Sequence, residues 1–434
     1  MLRDAARDAM LVVGGRIGFV ALWFLATLLI YRGLGSDAAG LSQAGLFAVT
    51  IACIKIASGC IVDPGDVALM RHAPGLMRSD PEAAYRLFRS AFWLRGVGTV
   101  AVVAVLLVFA PIFSRDVLGH PEATSLIRYV GAAIVGDMLI RSVMVVMQAA
   151  ERFVAFVLVE GLMQVLRFGS IMLLWLLGAI NVELVLACYA AASFAAVLVG
   201  VAWLPRGLFA SARFDRADMV QLLHFLKWMM PAMMLAAFNE RVDVLLVYGF
   251  SGSDAAGRYG AMLTLALVPD LVAGCLISLL QPRIARMREE GTYAARLHQF
   301  QWISLPAAAV TFVLAVSLAK PVIALLLGET YAESSGIFLW LLAGTLFWLA
   351  VAPLPMTMVA VHAPARIALV TLGQSAYVVL IGLLLLPSYG PIGMAFGIFV
   401  MRVGVAAVLH VTALRLAHTT DGEAALRQPR PHAP

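Results

Sequence analysis

Basic residues stand where this chain is otherwise most apolar. Lys55, Arg95, Arg141, Arg167, Arg241 and Arg402, with Arg16, lie within or near the ends of long hydrophobic runs, and Asp137, Glu160, Glu240, Asp243 and Asp270 sit among them. A charge at mid-depth in a bilayer costs about 2.5–3.5 kcal/mol on insertion scales, so each must face an interior, find a partner or reach water. The planar fork of arginine suits phosphate oxygens, and a carboxylate can exchange a proton or cation as its partners change. The candidate chemistry is therefore anion binding by Arg141, Arg167, Arg241, Arg402 and Lys55. Asp243, Glu240, Asp137 and Asp270 are candidates for ion coupling or gating. Arg16 and Arg95 are the weakest cations of the set, close enough to a surface to snorkel out. Structural pairing is an equal alternative for any single acid, Asp137 with Arg141 by their four-residue spacing being one such pair.

The elements that carry these charges are membrane helices. Hydrophobic residues make up 62% of the chain and charged ones 13%, with a mean hydropathy of +0.94. Crossing hydrocarbon takes about 20 mostly apolar residues in a helix, and the sequence predicts twelve such spans, the seventh over 228–249 and the eighth over 258–281. The runs are continuously apolar rather than alternating, which excludes a barrel. Pro231, Pro269, Pro353 and Pro355 interrupt spans as kinks or hinges. The stretch EAAYRLFRS is amphipathic and predicts a helix on the membrane surface.

Most basic residues between spans, from Arg3 to Arg430, fall on the side of the termini, and the opposite loops hold only Arg32, Arg115 and Arg258. Both termini are thus expected in the cytoplasm of a multi-pass cytoplasmic (inner) membrane protein, and the net charge of +6 reflects topology, with no nucleic acid as partner. Cys53, Cys60, Cys188 and Cys275 read as small buried residues, and neither a metal nor another cofactor is indicated. His298, His362, His410 and His418 read as interfacial, and the tryptophans as belt anchors. Glu160, Gln164 and Arg167 share one helix face, which either lines a polar path or seals a helix contact.

The hexapeptide GSDAAG occurs twice, beginning at Gly35 and at Gly252, and that offset of 217 is half of the 434-residue chain. Each copy follows one apolar helix and precedes another. The loop from Ala110 and the loop from Ala324 correspond at a similar offset. An all-α integral membrane fold follows, about 12 transmembrane helices in two six-helix lobes related by an internal parallel repeat. The divisions are an N-terminal lobe over 1–204, a cytoplasmic linker over 205–227, a C-terminal lobe over 228–418 and a disordered cytoplasmic tail over 419–434.

The segments NERVDVLLVYGFSGSDAAGRYGAM from Asn239, LLLGETYAESSGIFLWLLAG from Leu325 and LPSYGPIGMAFG from Leu386 together resemble the multidrug/oligosaccharidyl-lipid/polysaccharide exporter superfamily, in its branch of O-antigen and related lipid-linked oligosaccharide flippases. The resemblance covers spans 7 to 12, with weaker echoes in the first half. It implies two lobes that rock to expose a central cavity to either face. It implies as cargo a polyprenyl-pyrophosphate-linked oligosaccharide, such as an O-antigen or exopolysaccharide repeat unit. Membrane lipid, H+ or Na+, and a glycan polymerase and glycosyltransferases are the partners expected with it.

Two rival functions follow from other chemistry. A cation-coupled multidrug exporter of the same superfamily would need an acid-dominated cavity, whereas here the intramembrane bases outnumber the acids. An integral-membrane glycan polymerase or ligase needs a substantial loop for its site, and the loops opposite the termini are of ordinary connector length. With no nucleotide loop, metal cluster or nucleophile triad in the sequence, no enzyme is expected.

Overall fold

The computed structural model describes residues 2–35, 38–117, 124–209, 216–273, 293–352 and 364–427. These residues are helical almost throughout. In chain order the helices are α1 (Leu2–Leu34), α2 (Ala38–Ile61), α3 (Asp63–Ser79), α4 (Pro81–Val108), α5 (Ala110–Ile112), α6 (Thr124–Ala149), α7 (Phe153–Leu176), α8 (Val182–Ala202), α9 (Arg216–Asn239) and α10 (Val242–Ala266). They continue with α11 (Tyr293–Leu327), α12 (Glu329–Ala332), α13 (Ser335–Ala350) and α14 (Pro364–Arg427). Eight helical stretches among the described residues are long and apolar enough to cross a membrane. Two of them, Gly40–Ser79 and Leu369–Val411, run to 40 and 43 residues, more than one crossing requires. Gly390 breaks the second stretch at a φ of 59°, giving two crossings within α14. The chain is an all-α multi-pass membrane protein.

Local sequence starts these helices where expected. Asp80 accepts the amide of Ala83 at 3.1 Å ahead of Pro81, so α4 begins with a side-chain cap and a proline in its first turn. Asn181 caps α8 in the same way through Leu184. The row Val97, Val100, Val105 and Val108 of α4 faces outward, as a lipid-facing helix side must.

Contacts divide the chain into two compact units, one of residues 1–261 with 325–331 and the other of residues 262–324 with 332–434. In the first, α1 packs on α7, α6 on α8 and α4, and α9 on α2, α3 and α4. A core of Leu69, Phe88, Val146, Met147, Phe156 and Val159 joins α3, α4, α6 and α7. In the second, α13 packs along α14.

Four features differ from the sequence reading. The seventh span is not one helix: α9 ends at Asn239, Glu240 and Arg241 form a turn, and α10 restarts at Val242. Two adjacent charges that cannot both lie on the apolar side of a helix are accommodated by leaving it. The eighth span begins after Gly252, whose φ of 84° suits glycine alone and separates two helical segments within α10. Pro231 lies inside α9 and marks neither break. EAAYRLFRS is not a separate surface helix but the opening of α4, because Ala84, Leu87 and Phe88 are drawn into the core. The tail is helical as far as Arg427. The side chain of Arg16, and Ser36, Cys275, Pro353, Pro355 and His362, lie outside the described residues.

Candidate functional site

The intramembrane charges of the first unit form two groups. The first is a closed set of ion pairs on α3, α4 and α6. Arg141 donates to Asp63 and, at 2.8 Å, to Asp66; Arg95 donates to the other Asp66 oxygen at 2.5 Å. Arg95 also reaches the Val62 carbonyl at 3.2 Å. Two guanidinium groups against two carboxylates leave this group neutral. Its geometry comes from the segment DPGD: Pro64 starts α3, both acids fall in its first turn, and Gly65 lets the Arg95 guanidinium approach where a Cβ would stand 2.8 Å from Nε.

Asp63 and Asp66 were missed by reading the apolar spans, because they lie just past the end of one. A paired acid flanking Pro-Gly at a helix start was the available signal. Arg95 does not snorkel; only 3% of it is exposed, since Asp66 and a carbonyl satisfy it inside the unit. Arg141 takes Asp63 and Asp66 as hydrogen-bond partners rather than Asp137, whose field still acts on it.

The second group is Lys55 on α2, Asp137 on α6, Arg167 on α7 and Arg241 at the α9–α10 turn. Lys55 feels the charges of Asp137, Arg167, Arg241 and Arg141. Its side chain is exposed. Arg167 donates to Ser193 Oγ at 2.7 Å and lies over the Tyr189 ring, 4.9 Å from its centroid. Both partners are neutral, so the charge remains. Nε of Arg167, Nε of Arg241 and Oε1 of Gln164 are buried and unbonded among the described residues. Three guanidinium groups and the Asp137 carboxylate act on Lys55, and Glu160 adds a buried carboxylate oxygen on α7 beside Gln164 and Arg167.

Asp243 is 4% exposed. It opens α10, accepts the Val244 amide at 2.8 Å and takes the Tyr259 hydroxyl on its other oxygen at 2.8 Å. Glu240 is exposed in the turn before it. In the second unit, Arg402 and Asp270, proposed from sequence for different tasks, form one forked pair at 2.9 and 2.8 Å.

Residues 74–336 match the family described as polysaccharide biosynthesis protein, well over half of the chain. The chain belongs to this family. Comparison with curated proteins finds no match. Among solved structures, the lipid II flippase MurJ in an inward closed conformation superposes with a TM-score of 0.70 at 14% identity, over 93% of this chain and 90% of that one. An inward-facing multidrug resistance MATE family transporter of the MOP superfamily gives 0.69 at 14% identity, over 93% and 96%. A MOP superfamily transporter from Pyrococcus furiosus, described by a reversed polarity of its binding pocket, gives 0.63 at 13% identity, over 95% and 97%. Over nearly its whole length the chain therefore has the fold that those flippases and transporters share.

Proposed function

We propose that this polysaccharide biosynthesis protein moves a polyprenyl-pyrophosphate-linked oligosaccharide, an O-antigen or exopolysaccharide repeat unit, across the cytoplasmic membrane by alternating access. The observation that carries the reading is the Lys55–Arg167–Arg241 group, with Asp137 the carboxylate that acts on Lys55. A pyrophosphate crossing hydrocarbon alone would leave its oxygens unsatisfied at several kcal/mol each, and a cationic interior with unbonded guanidinium donors removes that barrier. Arg141 stands beside the group and shares the anion by exchanging a carboxylate for a phosphate oxygen. The guanidinium groups gathered about Lys55 disfavour a cationic drug as cargo.

The lobes over 1–204 and 228–418, joined by 205–227, would rock about this site with both termini in the cytoplasm. H+ or Na+ would enter at Asp243, a buried carboxylate that accepts the Tyr259 hydroxyl. A glycosyltransferase supplies such a cargo and a polymerase consumes it. The test uses vesicles containing the purified protein and a fluorescent polyprenyl-pyrophosphate oligosaccharide, with transfer read by a glycan-degrading enzyme outside. Wild type transfers the glycan, and Lys55→Gln with Arg167→Gln stops it. Transfer unchanged in the double variant would overturn the reading.

A further inference from the structure

A cavity of about 370 Å³ lies in the first unit, beside the neutral ion-pair group. Its floor is α6, at Val143 and Val146, and its walls are α4 and α8. Both walls pack on α6, and the short 3-10 turn Arg206–Phe209 closes one end. Phe92, Trp93, Val201 and Phe209 line it and are 43%, 53%, 40% and 59% exposed. In a multi-pass membrane protein, an outward-facing opening rimmed by such side chains meets hydrocarbon. Water has too few polar partners there to fill it. Its volume falls within the range of small-molecule sites.

The end at the 3-10 turn is different. Arg89, 8% exposed, lines the cavity there and holds the turn through the Gly207 and Leu208 carbonyls at 3.5 and 3.3 Å, while its other nitrogen meets Glu82 at 3.1 Å. Arg206 opens the same turn and is exposed. The exposed Arg206 thus stands at the end where this apolar groove meets the turn. That arrangement complements a headgroup with a negative charge and a chain below it.

We propose that this groove binds one anionic phospholipid, with an acyl chain between α4 and α8 and its phosphate beside Arg206 and Arg89. The site does not depend on the transported cargo. It does touch the machinery: Arg95 and Ser142 also line the cavity, and Arg95 holds Asp66, which holds Arg141. A bound chain therefore braces the neutral ion-pair group from behind.

Trp93 at the mouth reports occupancy. The full-length protein is reconstituted with phosphatidylglycerol or phosphatidylcholine brominated on the acyl chain, and the Trp93 contribution is taken as the difference between wild type and Trp93→Phe. Brominated phosphatidylglycerol is expected to quench that contribution at about fivefold lower mole fraction, the preference that one basic residue near the surface gives an anionic lipid. Arg206→Gln, which alters no packed residue, should remove the preference. Val201→Phe, which fills the mouth, should remove the quenching by both lipids beyond that of bulk contact. Equal quenching by the two lipids in wild type, or a preference unchanged in Arg206→Gln, would overturn the proposal.

Discussion

Ser42 and Ser253 share a hydrogen bond of 2.8 Å although 211 residues separate them. The bond marks a seam where the second copy of the repeated hexapeptide meets α2, just past the first copy. Gly45 lies against the backbone of Ser253, and a Cβ on Gly257 would stand 2.6 Å from the Leu41 oxygen and 2.8 Å from the Gly45 nitrogen. A Cβ on Gly260 would likewise meet the Tyr31 hydroxyl at 2.6 Å and the Ala48 methyl at 2.7 Å. Small residues let helices in lipid approach this closely. The second copy of the repeat is therefore also a contact surface.

If transport requires the seam to part, a covalent link across it must stop transport. Ser42→Cys with Ser253→Cys places two thiols within disulfide reach. Oxidation should abolish glycan transfer in vesicles and a reductant should restore it, with each single variant unaffected. Transfer that continues in the oxidised double variant would show that the seam is static. Gly257→Ala is the steric counterpart: its methyl meets backbone that cannot yield, with an overpacking cost of about 1–3 kcal/mol that favours the parted state.

A second set of contacts fastens the same region. Arg32 donates to the Leu325 carbonyl at 2.9 Å and Arg258 to that of Thr330 at 3.1 Å. Tyr331, wholly buried, donates to the Tyr31 carbonyl at 3.2 Å, with the two rings 6.4 Å apart and nearly perpendicular. Arg32 and Arg258 are two of the three arginines that break the charge bias, and both are committed to backbone oxygens here. Tyr331→Phe removes one hydrogen bond of about 0.5–1.5 kcal/mol without changing the ring. The expected result is faster modification of Ser253→Cys by an impermeant thiol reagent, by roughly two- to tenfold. An unchanged rate would leave Tyr331 with a packing role alone.

The membrane class and the helices were legible because hydrocarbon imposes one strong rule: an apolar run must span. What was not legible depends on partners distant in sequence. Arg141 could be matched with Asp137 by helical spacing, but its hydrogen-bonded acids lie 78 and 75 residues away on another helix. Arg402 and Asp270, 132 residues apart, could not be paired for the same reason. The break at Glu240–Arg241 carries neither proline nor glycine, so no local signal announced it.

Those partners change which substitution is informative. Arg141→Ala would remove a cation from the site and also leave Asp63 and Asp66 facing each other without it, so a loss of transfer would be ambiguous. Lys55 has no hydrogen-bonded acid among the described residues. Lys55→Gln should therefore weaken binding of the pyrophosphate cargo roughly ten- to hundredfold, the worth of one charge-assisted contact, with an unchanged melting temperature. Asp63→Asn should do the opposite, freeing part of Arg141 and tightening binding of inorganic pyrophosphate. If both variants bind pyrophosphate as wild type does, the anion is held elsewhere.

Arg402 and Asp270 should behave as one structural unit. Either single alanine substitution strands the other charge in a site about one-fifth exposed, and is expected to destabilise by about 1–3 kcal/mol, less than a fully buried pair. Asp270→Arg with Arg402→Asp should recover much of that loss. Thermal unfolding in detergent measures the cycle, and additive losses with no recovery would show that the pair contributes little.

Asp243 and Tyr259 provide the sharpest test of ion coupling, because a hydroxyl can follow a carboxylate through a change of charge. Tyr259 donates when the carboxylate is ionised, and its oxygen can accept when Asp243 carries a proton. Arginine in that place would only donate, holding the acid in its charged form. Asp243→Asn should therefore abolish the response of glycan transfer to an imposed pH or sodium gradient while retaining some transfer without one. Tyr259→Phe keeps the acid but removes its partner, and should shift the pH dependence of transfer rather than eliminate the response. If Asp243→Asn responds to both gradients as wild type does, Asp243 is a structural cap of α10. Asp137, the carboxylate among the three cations, then becomes the next group to substitute.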